Sequence, residues 1–239
     1  MGQLGEGQVQ LAAPAGRLVD EVASEPPPLP PPTLAPPATS RAKRALDLVV
    51  VVLALPIVLL VGLLVVLVVR LTSRGPVLFS HERIGLGGKP FKMFKFRTMH
   101  REAEADLQND AALWNEYVRN GYKVPAELDR RVTRVGRFLR RSSLDELPQV
   151  LNVLTGSMTL VGPRPIVPAE LANYGADHHV YLSVRPGITG SWQVHGRSCV
   201  AYPQRVAYDR EYIEGWTLSR DLAILARTPL AVLSAKGAF

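Results

Sequence analysis

The apolar positions of this chain are concentrated in one run. From Leu48 to Val69 there is no charged residue, one glycine (Gly62) and one proline (Pro56). As a helix rising 1.5 Å per residue the run reaches roughly 33 Å, enough to cross a hydrocarbon core of about 30 Å. Two features argue against simple crossing. Pro56 removes a hydrogen bond inside the run and favours a kink. Both flanks are basic, with Arg41, Lys43 and Arg44 before and Arg70 and Arg74 after, so positive charge names no outer end. On the residues, spanning and re-entry both stay open. Arg44 and Asp47, three apart on one helix face, are expected to pair near the interface.

Downstream the periods shorten. Val77-Leu78-Phe79 and Phe91 to Met99 read as strands, joined by a turn at Gly85-Leu86-Gly87-Gly88-Lys89-Pro90. His100 to Asn120 reads as one amphipathic helix, with Ala103, Leu107, Leu113, Trp114 and Tyr117 apolar. A polar connection over residues 121–132 leads to a short basic helix, Thr133 to Arg141, with Val135, Phe138 and Leu139 on its apolar side. Another helix begins near Ser143 and runs to Gly156. The last, about Leu218 to Ala235, sets Leu222, Ile224, Leu225, Leu230, Val232 and Leu233 against Arg220, Arg227 and Lys236. It reads equally as an interfacial amphipathic helix or as a core helix. The pattern predicts a helix-dominated, mixed α/β fold with short strands. Residues 1–40, mostly proline from Pro26 to Pro37, are expected to be a disordered, extended tail and not a signal peptide.

Charge sharpens this picture. The chain carries a net +7 over 239 residues. The first 40 residues hold one cation, Arg17, against Glu6, Asp20, Glu21 and Glu25, so the folded part is the basic part. That suits nucleic acid, anionic lipid or a phosphorylated substrate. The single cysteine, Cys199, excludes an internal disulfide framework. The five histidines show no zinc-ligand spacing.

The densest chemistry lies in Arg140-Arg141-Ser142-Ser143-Leu144-Asp145-Glu146-Leu147-Pro148-Gln149. Ser143 and Glu146 have capping-box spacing, which places Asp145 in the first turn of a helix. Backbone N–H groups and the helix dipole there favour an anion, and the upstream arginines favour phosphate. The plain alternative is an ordinary charged helix cap. Two stiff loops carry further cations. Leu160-Val161-Gly162-Pro163-Arg164-Pro165 fixes one arginine between prolines, and Arg185 to Arg197 is a second, glycine-punctuated basic loop. Lys92, Lys95 and Arg97 are interspersed with aromatics along the second strand.

Five stretches in fixed order resemble the monotopic phosphoglycosyl transferases, bacterial sugar transferases that start glycan assembly on a polyprenyl phosphate. They are Lys43-Arg44 with Asp47; Phe94-Lys95-Phe96-Arg97-Thr98-Met99; Ser143 to Gln149; Val161-Gly162-Pro163-Arg164-Pro165; and Arg185-Pro186-Gly187-Ile188-Thr189-Gly190 with Gln193 and Gly196-Arg197. The resemblance covers roughly residues 41–236. It departs at Ser198-Cys199, where family members commonly carry Asn after the Gly-Arg pair.

The resemblance implies a monotopic protein. Residues 41–71 would form a re-entrant helix broken near Pro56, and residues 72–239 a cytosolic catalytic domain ending in an amphipathic helix. It implies the minimal form of the enzyme, without a multi-span membrane domain. Asp145 would be the nucleophile of an Asp–Glu dyad with Glu146, attacking a UDP-sugar, expelling UMP and passing a phosphosugar to polyprenyl phosphate. Magnesium would bind near Asp145. Lys95, Arg140, Arg164 and Arg197 match positions that handle phosphate or nucleotide. The place implied is the cytoplasmic face of the bacterial inner membrane, with no nucleic-acid partner. Two rival readings of the same residues are a non-enzymatic basic membrane adaptor and a magnesium-dependent phosphatase or nuclease.

Overall fold

A computed structural model describes residues 33–120, 124, 129–196 and 199–234. The greater part of the proline-rich tail, most of the 121–128 connection, and Arg197 with Ser198 lie outside them. After a single turn at Pro36–Thr39, helix α1 runs unbroken from Arg41 to Thr72, with Pro56 inside it. Ser40 caps its start by accepting from Lys43 N.

The strands β1 (Leu78–Ile84) and β2 (Pro90–Phe96) form an antiparallel hairpin, Leu78 opposite Phe96 and Ile84 opposite Pro90. The expected single helix from His100 is two, α2 (Ala103–Asn109) and α3 (Ala111–Arg119). Asp110 divides them: its carboxylate accepts from Ala112 N and Leu113 N, both at 3.0 Å, and so starts a new N-terminus. Helix α4 (Arg134–Arg141) follows, capped by Thr133. Leu139 is buried as expected, but Phe138 is 63 % exposed.

Helix α5 (Gln149–Thr155) leads to β3 (Thr159–Val161). A 3₁₀ stretch over Pro168–Asp177, α6 (His178–Leu182), β4 (Gly187–Thr189) and α7 (Ser191–His195) come next. The basic loop expected over 185–197 is therefore a strand and a helix. Helices α8 (Tyr202–Glu214) and α9 (Leu218–Leu233) complete the fold. Strands β3 and β4 pair in parallel, Thr159 with Gly187 and Val161 with Thr189. Their approach requires glycine: a Cβ on Gly187 would lie 2.1 Å from Gly162 N.

Helix α1 packs on this domain toward both ends, with no buried residue between Val51 and Val65. Val51 packs with Met93, Val153 and Met158. Val65 and Val69 pack with Phe96 and Leu139, and Leu144 and Leu147 join that cluster. The opposite face, including Leu53, Ile57, Leu60 and Leu63, is exposed and wholly apolar. Both ends are held by the same domain. At the start, Lys43 Nζ donates to Asp221 Oδ2 at 2.6 Å and to Val161 O at 2.8 Å. At the finish, the Arg97 guanidinium donates to Ser73 O and Ser73 Oγ at 3.0 and 2.8 Å. Arg44 and Asp47 do not pair. Arg44 caps the end of α5 through Val153 O and Leu154 O, while Asp47 accepts from Thr159 Oγ1 and Leu160 N. Each found a desolvated backbone end, where a charge-assisted bond exceeds a surface pair in strength.

Candidate active site

Asp145 does not sit in the first turn of an α-helix. It lies in a 3₁₀ turn, Leu144–Glu146, and the helix proper begins four residues later at Gln149. The capping box is absent, because Ser143 adopts φ 57°, ψ 17° and makes no side-chain cap. It is the one non-glycine residue with positive φ among the described residues. A serine held there is strained, and such strain gathers at functional sites. Leu144 and Leu147, on either side of the two carboxylates, pack into the cluster under the end of α1. Those contacts hold the turn in a geometry that local propensity alone does not favour.

Lys95 joins the two carboxylates. Its Nζ lies 2.6 Å from Glu146 Oε1 and 3.4 Å from Asp145 Oδ2. The strand that carries it is fixed to α5 by Asn152, which accepts from Phe94 N and donates to Lys92 O. Asp145 is buried, whereas Glu146 and Lys95 are partly open. Burial pushes the Asp145 carboxyl up from its ordinary value; Lys95 opposes this, Glu146 adds to it and Arg140 opposes it. Arg140 is oriented by Thr98, to whose Oγ1 its Nε donates at 3.0 Å.

The pair opens on a cleft of about 550 Å³. Lys95, Arg140, Asp145, Glu146 and Arg164 all line it. Five predicted site residues, drawn from three stretches of the sequence, thus line one cavity. Arg197 lies outside the described residues. The Arg164 backbone is pinned by the Tyr181 hydroxyl, which donates to Arg164 O at 3.2 Å. Among the described residues no group of three or more His, Cys, Asp or Glu side chains forms a metal cage. Two adjacent carboxylates facing a cleft still suit magnesium, which commonly takes one or two protein carboxylates and fills its shell with substrate phosphate oxygens and water.

A family profile described as bacterial sugar transferase matches residues 38–235. The chain belongs to that family. The transferase is 42% identical over 202 residues to the exopolysaccharide production protein ExoY of Sinorhizobium fredii, covering 83% of this chain and 88% of that protein. It is 41% identical over 211 residues to the UDP-glucose:undecaprenyl-phosphate glucose-1-phosphate transferase of Caulobacter vibrioides, covering 84% of this chain and 73% of the relative. It is 43% identical over 202 residues to the undecaprenyl-phosphate galactose phosphotransferase of Salmonella typhimurium, covering 82% of this chain but 41% of that longer protein.

The cleft of the transferase also contains residues that sequence reasoning passed over. Arg83 ion-pairs with Glu170 at 3.4 Å, and both line the cleft with Tyr117. Burial lowers the Arg83 guanidinium from its usual value, and neighbouring Arg164 lowers it further. Asp129 and Arg131 form a buried pair at 2.8 Å on the same wall. They fall in the stretch read as a polar connection, where only the Asp-Arg-Arg run of opposite charges hinted at structure. Nothing local marks Arg83 and Glu170, which are 87 residues apart.

Proposed function

We propose that this transferase moves a sugar 1-phosphate from a UDP-sugar to polyprenyl phosphate, releasing UMP, as the first membrane step of exopolysaccharide or related glycan synthesis. The observation that carries the reading is Asp145: a buried carboxylate on a strained turn, beside Lys95, facing a cleft with Arg83, Arg140 and Arg164 in its walls. The undecaprenyl-phosphate transferase activities by which the Salmonella and Caulobacter relatives are named support it.

In the first half-reaction an Asp145 carboxylate oxygen attacks the sugar-bearing phosphorus. The bond from that phosphorus to the bridging oxygen breaks, and the electron pair leaves on UMP. A carboxylate nucleophile splits one transfer into two. In the second half, a phosphate oxygen of the lipid attacks the same phosphorus, and the bond to Asp145 breaks to restore the carboxylate. Phosphoryl transfer depends on positioning and on neutralising charge more than on covalent devices. Lys95 supplies a cation between nucleophile and diphosphate, and its two bonds hold the Asp145–Glu146 pair in register. Arg140 and Arg164 are the fork-shaped donors for phosphate oxygens. Glu146, more open than Asp145, takes the proton from an incoming phosphate monoester. Magnesium, held by Asp145 with Glu146, would neutralise charge on the diphosphate.

The same reading makes α1 re-entrant at the cytoplasmic face of the inner membrane. Its support is that Lys43 at one end and Ser73 at the other are bonded to a single domain. A helix with its ends on opposite faces of a bilayer leaves one of those sets without a partner.

Asp145 chemistry is tested by incubating the detergent-solubilised enzyme with magnesium and a panel of UDP-sugars, without lipid. About one equivalent of UMP and a mass gain of one phosphosugar are expected, and Asp145→Asn abolishes both. Product formed only when lipid is added, with no adduct before it, would establish direct displacement instead.

A further inference from the structure

Among the cleft-wall cations that these steps do not use is Arg97. Arg97 follows Lys95 by two residues, so strand alternation puts both side chains on one face of the hairpin; its N–H extends the ladder by donating to Val77 O at 2.8 Å. The residue is 9 % exposed. One terminal nitrogen is spent on Ser73. The buried Nε and Nη1 have no hydrogen-bond partner among the described residues. Buried charged donors rarely stay unpaired, because leaving water without a partner is costly.

The surroundings define what would pair them. Arg97 lines the same cleft as Lys95 and Asp145, together with Pro76, Phe79 and Phe96. Ser73, to which it is bonded, is the C-cap where the chain leaves the apolar helix. Around that point Leu71, Leu78 and Phe79 are exposed apolar side chains. The backbone makes way for the guanidinium: Gly75 has φ 112°, and a Cβ there would lie 2.5 Å from Arg97 Nη1. The unpaired donors thus stand where the polar cleft meets the apolar surface of the membrane helix. A phosphate monoester on a hydrocarbon chain satisfies both sides of that border. A nucleotide-sugar, polar throughout, satisfies one.

We propose that Arg97 is the acceptor subsite. Its Nε and Nη1 N–H groups receive oxygens of the polyprenyl phosphate head group, and the prenyl chain leaves past Leu71, Leu78 and Phe79. Donor and acceptor phosphates then approach Asp145 from different sides, the donor on Arg140 and Arg164 and the acceptor on Arg97. The assignment rests on the transferase reading above.

The experiment compares wild type, Arg97→Gln, Arg97→Lys and Ser73→Ala, all full length in detergent with magnesium. Arg97→Gln should raise KM for undecaprenyl phosphate about tenfold or more, the scale of one lost charged hydrogen bond. KM for the UDP-sugar should stay within about twofold, and Arg97→Lys should recover part of the loss. Ser73→Ala removes the side-chain part of the pinning, the Oγ contact, while the bond to Ser73 O stays, and should leave KM for the lipid near wild type. If Ser73→Ala reproduces Arg97→Gln, or if both KM values rise together, Arg97 only anchors α1 and the proposal fails. Calorimetric binding of geranylgeranyl phosphate in the absence of donor gives a readout independent of turnover. Weaker binding in Arg97→Gln supports the subsite even if no UDP-sugar proves to be a donor, an outcome that would count against the transfer reading alone. Competition by phosphatidylglycerol as strong as by the prenyl phosphate would overturn the acceptor assignment in favour of a general anionic-lipid contact.

Discussion

Substituting Lys43 tests how α1 is tied to the domain. Lys43 and Asp221 form an ion pair of 2.6 Å with side-chain exposures of 5% and 1%. Asp221 also lies 2.7 Å from the Tyr212 hydroxyl and 3.1 Å from Trp216 Nε1. Lys43→Met keeps the apolar stem but leaves the Asp221 carboxylate buried with neutral donors only. Breaking such a pair costs about 3–5 kcal/mol, most of it the desolvated charge left behind. At roughly 2–4 °C per kcal/mol for a chain of this size, the midpoint should fall by about 6–20 °C. Asp221→Asn alone strands the lysine and should cost a similar amount. The double variant removes both charges; its amide oxygen can accept from Trp216 Nε1 while its NH2 donates to the Tyr212 hydroxyl, which keeps its bond to Val161 O, so it should recover more than half of the sum of the single losses. Thermal unfolding in detergent, followed by tryptophan fluorescence on all four proteins of the cycle, reads the coupling. A Lys43→Met loss under about 1 kcal/mol, or a double variant as unstable as the two singles added, would refute the reasoning.

Other outcomes follow from the same geometry. In a Cys199→Ser background, Thr39→Cys and Ser80→Cys, both exposed, should resist an impermeant maleimide in intact cells and react after permeabilisation; labelling of Thr39→Cys alone would establish a span. Arg164→Lys keeps the charge but loses the planar fork, so turnover should fall about tenfold at unchanged stability; unchanged turnover would make Arg164 a solvated loop residue. Asp209 is buried and accepts from the Tyr174 hydroxyl at 2.9 Å, and burial pushes its carboxyl up to about 7. Its folded value lies above the unfolded one, so the stability it contributes is present in full below about pH 4 and lost as pH rises through 7. The midpoint of Asp209→Asn should therefore vary less than that of wild type between pH 5.5 and 8.5, and an identical slope in both proteins would refute the assignment.

The sequence announced its long-range plan better than its local geometry. The apolar run from Leu48, the strand cations and the proline-flanked Arg164 loop are legible because composition and spacing mark them. Lys95, Arg140, Asp145, Glu146 and Arg164 were nameable in advance, since a charged residue in a rigid or capped setting stands out. The capping box at Ser143 was misleading: four residues of good helix-starting sequence are overruled by Leu144 and Leu147 packing under α1, a contact made by residues more than 70 positions away. The Arg44–Asp47 pair failed for a related reason. Spacing brought them onto one helix face, but the ends of α5 and β3 offered each a buried partner. Arg83 with Glu170, and Asp129 with Arg131, acquire their setting only from the tertiary fold.

The packing of Val65 and Val69 against Phe96, Leu139 and the leucines beside Asp145 bears on how the protein can be handled. In many anchored enzymes a membrane segment is a leash, and cutting it liberates a soluble catalyst. Here the segment is also the floor on which the Asp145 turn rests, and the family match, beginning at residue 38, includes it. Truncation at residue 72 would bare Phe96, Leu139, Leu144 and Leu147 to water and leave the Asp145 turn without its support. Purification therefore has to carry detergent or lipid along with the whole of α1, and a water-soluble version calls for redesigning the helix's outward face while leaving its inward one alone.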